Sequence, residues 1–178
     1  MKLTLVRHSE VEERYQGCYN GHNEIGISKN GILQAKELAK ELDLLKFDAV
    51  FCSDLRRAKE TLKYSLHAKE AIYTYKLREK SWGRHEGLNF DEIIAQGEIE
   101  YISFLQWIEA LDGEPYGEYI KRLRVFFLEF LPTLKKEHIL VVTHAGVIRT
   151  LLSIVNNITI QKAFGIKVPN GSLTLLEI

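Results

Sequence analysis

Apolar positions recur along the chain in two rhythms. Four short runs, at residues 3–6 (L-T-L-V), 48–52 (D-A-V-F-C), 72–75 (I-Y-T-Y) and 138–143 (H-I-L-V-V-T), are too short and too rich in β-branched and aromatic residues for helices. They predict strands, and residues 172–178 predict a last one. Between them the period lengthens to that of an amphipathic helix. Ser28 is placed to cap a helix running to about Leu42, with Ile32, Ala35, Leu38, Ala39 and Leu42 as its stripe. Ser53 or Asp54 is expected to cap a second, in which Leu55, Ala58, Leu62 and Leu66 face the core. A third spans about 116–135 through Ile120, Leu123, Phe127, Leu131 and Leu134. A fourth follows His144 and carries Val147, Ile148, Leu151, Leu152 and Val155. Strands alternating with helices predict an α/β fold around a parallel sheet. The near-continuous apolarity of 138–143 places that strand centrally, covered on both faces.

Two stretches break the rhythm. Residues 9–27 lack periodicity and are rich in Gly, Asn, Tyr and charge. A loop of that length in a small domain is commonly functional, and Arg14, Gln16, Asn20 and His22 can all donate hydrogen bonds to a substrate. Role-free surface is the plainer reading for each one taken singly. From about 89 to 115 a helical pattern is interrupted by Gly97 and carries Tyr101, Phe104 and Trp107, which predicts a small helical cap inserted in a single domain spanning 1–178.

Composition narrows the function. At 178 residues one domain can bury roughly 70% of its unfolded surface. Lys plus Arg and Asp plus Glu are equal at 24 each, which argues against a nucleic-acid or membrane-surface partner. An anion site must then be a local gathering of cations. Cys18 and Cys52 form neither a metal cluster nor a disulfide framework, and Cys52 sits in an apolar run as a small hydrophobe. No signal core and no run of the ~20 apolar residues needed to cross a membrane is present, so a cytoplasmic protein is expected. The oligomeric state stays open.

Four places with candidate chemistry share one topological address. Arg7-His8, Arg57, Glu79 and His144 each lie at or just after the C-terminal end of a predicted strand. A parallel sheet gathers such ends on one edge, where ligands bind. Each residue alone has a bland reading, as a solvated charge or a turn residue. Together a guanidinium beside an imidazole, a second arginine in the first turn of a helix, an acid and a second imidazole suit an anion under nucleophilic attack.

The motifs L-V-R-H-S-E, S-D-L-R-R-A-K-E-T, L-R-E-K-S-W-G and V-V-T-H-A-G-V-I-R, in that order, resemble the histidine phosphatase superfamily, also called phosphoglycerate mutase-like. The resemblance covers Leu3 to the C-terminus and implies a three-layer α/β/α fold. It implies His8 as nucleophile, Glu79 as proton donor, and Arg7, Arg57 and His144 as the phosphate pocket, with Arg56 outside it. The chemistry agrees: two arginines and an imidazolium neutralise a phosphomonoester, His8 forms a phosphohistidine, and Glu79 protonates the departing alkoxide and then activates water. No metal or other cofactor is implied. Ser9 stands where the family has glycine, His85 where tryptophan is common, and Gly26-Ile27 where proline-leucine is usual. The loop G-C-Y-N-G-H looks like that of α-ribazole phosphatases, which act late in cobalamin assembly. A cofactor-dependent phosphoglycerate mutase and a non-catalytic phospholigand-binding module are the alternatives. The mutases are typically longer, and a binder has no need of Glu79 beside an anion.

Overall fold

The predicted strands all form, with ends shifted by a residue or two. The computed structural model describes all of residues 1–178. In chain order its elements are β1 (Lys2–Arg7), α1 (Lys29–Leu42), β2 (Ala49–Ser53), α2 (Arg56–Leu62), β3 (Ile72–Thr74), α3 (Phe90–Ala95), α4 (Phe104–Ala110), α5 (Tyr116–Arg124), α6 (Leu131–Thr133), β4 (His138–Thr143), α7 (Ala145–Val155), α8 (Ile160–Phe164) and β5 (Leu173–Glu177). The sheet runs β3-β2-β4-β1-β5, parallel throughout except for β5, which lies antiparallel on β1.

Alternation along each strand divides the core. Leu3, Leu5, Phe51, Ile139 and Val141 face one side, against Leu123, Phe127, Val147 and Leu151 of α5 to α7. Val6, Val50, Cys52, Leu140 and Val142 face the other, against Leu38 and Leu42 of α1 and Ala58 and Leu62 of α2. Successive strand side chains point to opposite faces, so a strand buried on both must be apolar throughout. Ile139 to Val142 are all fully buried, and each such side chain contributes about 1.5–3 kcal/mol of hydrophobic burial.

Ser28 caps α1 as expected, its hydroxyl accepting from Gly31 N–H. The second helix differs from expectation. Neither Ser53 nor Asp54 caps α2, whose N-cap is Leu55 without a side-chain bond. Ser53 is the last residue of β2 and turns its hydroxyl to His144, and Asp54 takes a two-pronged ion pair from Arg78 at 2.7 Å. Nor does Leu66 face the core: α2 stops at Leu62, Ser65 starts a separate 3-10 turn, and Leu66 is 68% exposed. The third helix is one rod with a wide turn in it. Between α5 and α6, Val125–Phe130 is π-helical, and Leu131 N–H reaches back to Phe126 O. The extra residue per turn brings Phe126 into the core beside Phe127, while Ile120 and Leu134 are only half-buried.

The departures from the family pattern fit locally. Gly26 N–H donates to the Glu12 carboxylate, a bond proline could not make. His85 is buried, and its Nδ1 accepts from Asp112 N–H.

Candidate active site

Because β1 and β4 pair in register from Lys2↔His138 to Arg7↔Thr143, the residues that follow each strand emerge side by side. His8 N–H bonds Thr143 O, and the rings of His8 and His144 lie 5.2 Å apart. β2, on the far side of β4, ends at Ser53 and delivers Arg57 from the first turn of α2. β3 and the turn after it deliver Glu79. Arg7, His8, Arg57 and Glu79 line one cavity of about 370 Å³, as do Ala145 and Gly146 at the N-terminus of α7. That helix end adds a partial positive charge. The cations on the wall are Arg7, Arg57, Lys80 and Arg149, and the acids are Glu10 and Glu79. A chain of zero net charge has thus concentrated cations here.

His8 is nearly buried, and its tautomer follows from one contact. Nδ1 lies 2.8 Å from Ser9 O, and a carbonyl only accepts, so Nδ1 carries the proton. Burial, then Arg57 and Arg7, hold the ring well below the usual histidine pKa. A neutral ring protonated at Nδ1 leaves the lone pair on Nε2. Ser9, which stands where the family has glycine, donates its N–H to Thr61 Oγ1, and its buried hydroxyl has no partner.

His144 differs from the imidazolium expected. It is fully buried, it does not line the cavity, and burial holds it well below the usual histidine range. It is therefore neutral at neutral pH. Its Nε2 lies 2.8 Å from Ser53 Oγ, and Nδ1 is buried without a partner.

Both arginines are partly committed to the protein. Arg7 Nη1 donates to Val168 O at 2.6 Å. Arg57 donates to Gly21 O at 2.7 Å and Asn23 O at 2.9 Å, and so also fastens the 9–27 loop. In each guanidinium Nε is buried and unpartnered. Burial lowers Arg57 to about 10, which leaves it charged at neutral pH. Arg56 is exposed and pairs with Glu60.

Glu79 is gripped on both oxygens. Oε1 accepts from Tyr119 O–H and Lys80 N–H, each at 3.0 Å, and Oε2 accepts from Gly146 N–H at 2.9 Å. A Cβ on residue 146 would stand 2.2 Å from Glu79 Oε1, so any side chain there would push the carboxyl out of this position. Glu86 braces a turn, accepting from Ser81 O–H and the N–H groups of Trp82 and His22.

Of the four loop candidates, the structure brings Gln16 and Asn20 to the cavity. Arg14 is exposed and stands off it, over the Tyr15 ring. His22 also stands off the wall; its Nε2 donates to Glu79 O at 2.9 Å, so it supports the acid rather than touching a ligand. Sequence reasoning missed Tyr119, Lys80 and Arg149. Lys80 is 2% exposed with its ammonium 4.2 Å from the Trp82 ring centroid, and burial lowers it to about 8. Nothing in the spacing of these three marks them, because tertiary packing alone brings them to the wall.

The buried neutral histidines tie stability to pH. Unfolded, His8 and His144 take up protons near pH 6.5; folded, they refuse them until well below that. Their contribution is thus complete above 6.5 and lost as pH falls, at about 1.4 kcal/mol per pH unit for each. His85 and His138, also lowered by burial, act in the same direction. Urea midpoints should drop steeply from pH 6.5 to 5.5, and less steeply in His8→Asn. An unchanged midpoint over that unit would contradict the burial.

Comparison with known proteins identifies the family. The family model of the histidine phosphatase superfamily (branch 1) matches residues 3–178. A Schizosaccharomyces pombe protein described as a probable phosphatase is 32% identical over 160 residues, 85% of this chain and 71% of that one. The Escherichia coli adenosylcobalamin/alpha-ribazole phosphatase is 26% identical over 183 residues, 100% of this chain and 90% of the relative. The crystal structure of the alpha-ribazole phosphatase from Shigella flexneri superposes with a TM-score of 0.86 at 26% identity, covering 100% of this chain and 91% of that one. With the motifs in order, the sheet edge that gathers them and a match over nearly the whole length, the chain belongs to the histidine phosphatase superfamily, branch 1, and is a phosphatase.

Proposed function

We propose that the chain hydrolyses a small-molecule phosphomonoester through a phosphohistidine on His8, with α-ribazole 5′-phosphate as its substrate. The observation that carries the chemistry is the Nδ1 contact of His8 to Ser9 O, which leaves a bare Nε2 among Arg7, Arg57 and the start of α7. Arg7 and Arg57 neutralise the phosphoryl oxygens. Nε2 forms a bond to phosphorus as the ester oxygen departs, and Glu79 gives that oxygen its proton. Glu79 then takes a proton from water as water attacks the phosphohistidine, releasing phosphate and freeing His8.

The leaving group would meet an aromatic wall, which supports the α-ribazole assignment. Tyr15, Tyr19, Trp82, Tyr116 and Phe164 line the cavity beyond the phosphate end. Tyr19 stands edge-on to Trp82 and is tied to α4 by Trp107 Nε1–H at 2.8 Å. Such a wall suits a flat base. Residues 89–115, holding α3 and α4, would act as the cap that closes it.

One observation favours a second reading. Arg149 lines the cavity with only its Nε engaged, on Ile166 O, and faces no carboxylate within ion-pair distance. A phosphomonoester bearing a carboxylate would use it. Phosphate release measured in EDTA from α-ribazole 5′-phosphate, phosphoserine, 3-phosphoglycerate and p-nitrophenyl phosphate separates the readings. Highest kcat/KM on α-ribazole 5′-phosphate supports the first, and preference for the carboxylates supports the second. Transfer between positions of phosphoglycerate without release would make the protein a mutase.

The arginine pair gives a ranking test. Arg57→Ala should cost about 3 kcal/mol in kcat/KM, the scale of a lost transition-state donor. Arg56→Ala should cost less than about 0.5 kcal/mol, since it removes an exposed pair. The reverse ranking would show that Arg56 holds the phosphate.

A further inference from the structure

Glu79 is held from behind by one face of α5. Tyr119, 1% exposed, aims its hydroxyl at Oε1 from 3.0 Å. Arg122, three residues on and on the same face, donates Nη1 to Lys76 O at 2.8 Å and Arg78 O at 3.1 Å, and its Nη2 approaches Glu79 O at 3.5 Å. Glu114 takes Nε and Nη2 of the same guanidinium at 2.8 and 2.7 Å. The plane of charge lies 5.2 Å from the Tyr119 ring centroid. Arg122 thus fixes the backbone that carries Glu79, and Tyr119 fixes the carboxyl itself. Burial raises the Tyr119 phenol well above its ordinary pKa, so the hydroxyl keeps its proton and remains a donor.

The plain alternative is that Tyr119 is a core tyrosine whose hydroxyl needs an acceptor and finds one. Its place argues for more. Tyr119 also lines the cavity, so its hydroxyl lies at the boundary between core and site. The acceptor it meets is the one carboxylate at the phosphate end of the wall. The two hydrogen bonds to Oε1 and the one to Oε2 set the carboxyl plane, and they leave one lone-pair position, on Oε2, for a residue that lines the cavity.

We propose that Tyr119 is a positioning residue for phosphoryl transfer, orienting the Glu79 carboxyl toward the leaving oxygen while Arg122 anchors the backbone beneath it. This rests on Glu79 being the proton donor. The test is Tyr119→Phe, which keeps the ring and its packing. Single-turnover rates are compared on an alkyl phosphate and on p-nitrophenyl phosphate, in the wild type and in Glu79→Gln. The expected result is about a tenfold loss on the alkyl ester and less than about twofold on the nitrophenyl ester, because misorienting a proton donor matters only where the proton is needed. In Glu79→Gln, the added Tyr119→Phe should change neither rate by more than about twofold, since both act through one group. Equal losses on both esters, full additivity with Glu79→Gln, or no loss at all would each overturn the proposal. The nitrophenyl rate also reports an intact site, so misfolding cannot pass for support. If Glu79→Gln itself fails to distinguish the esters, the proton-donor reading falls; if it does and Tyr119→Phe does not, only the positioning role falls.

Discussion

His8→Ala should remove phosphatase activity by at least a factor of about 10³, the scale on which loss of a covalent nucleophile leaves only binding and electrostatics. The ring presents a neutral Nε2 beside two arginines. Cys18 is on the loop wall, and its thiol contacts the carbonyls of Arg14 and Gln16. Ser9 adjoins His8 in sequence, but its hydroxyl is buried off the cavity. The fold should survive, because the ring's one hydrogen bond is local and removing a buried neutral imidazole relieves the acid penalty. The variant should therefore resist pH 5.5 at least as well as the wild type. In the wild type, a brief reaction quenched without acid should leave phosphate on the protein that is stable to base and labile to acid. Activity within tenfold of wild type, or phosphate recovered on serine, would remove His8 from the role.

Glu79→Gln should separate substrates by their leaving groups. An alkoxide cannot leave without a proton, and a nitrophenolate can. The loss in single-turnover phosphorylation should reach about 10²–10⁴ on an alkyl phosphate and stay far smaller on p-nitrophenyl phosphate. The geometry adds a qualification to the variant itself. Lys80 N–H and Gly146 N–H bond different oxygens of Glu79, so the amide NH₂ of glutamine must face one of these donors. Some loss common to both substrates is therefore expected from misplacement. The ratio between the two substrates is the readout, and a ratio near one would make Glu79 a binding or structural residue.

The sequence by itself determined that the candidate residues gather at one edge of the sheet. Apolar runs of strand length end at Arg7-His8 and Thr143-His144, and period alone places both at one edge of a parallel sheet. Hydrophobic alternation likewise determined the order of strands and helices and the capping of α1 by Ser28, because these depend on neighbours within a few residues. The state and support of the site belong to tertiary structure. Whether His144 is charged depends on how deeply β4 is covered, and full burial makes it neutral where phosphate chemistry alone suggested a cation. Ser53 looks like a helix cap by position, but a histidine 91 residues away claims its hydroxyl. Tyr119, Lys80 and Arg149 carry no local signal, since their neighbours come from elsewhere in the chain. Arg14 and His22 matched Gln16 and Asn20 in donor capacity, but the path of the loop brought only the latter two to the wall. That path is set by Arg57 holding Gly21 O and Asn23 O and by Glu86 holding His22 N–H. Hydrogen bonds between distant segments have no period, so only the folded chain could decide them.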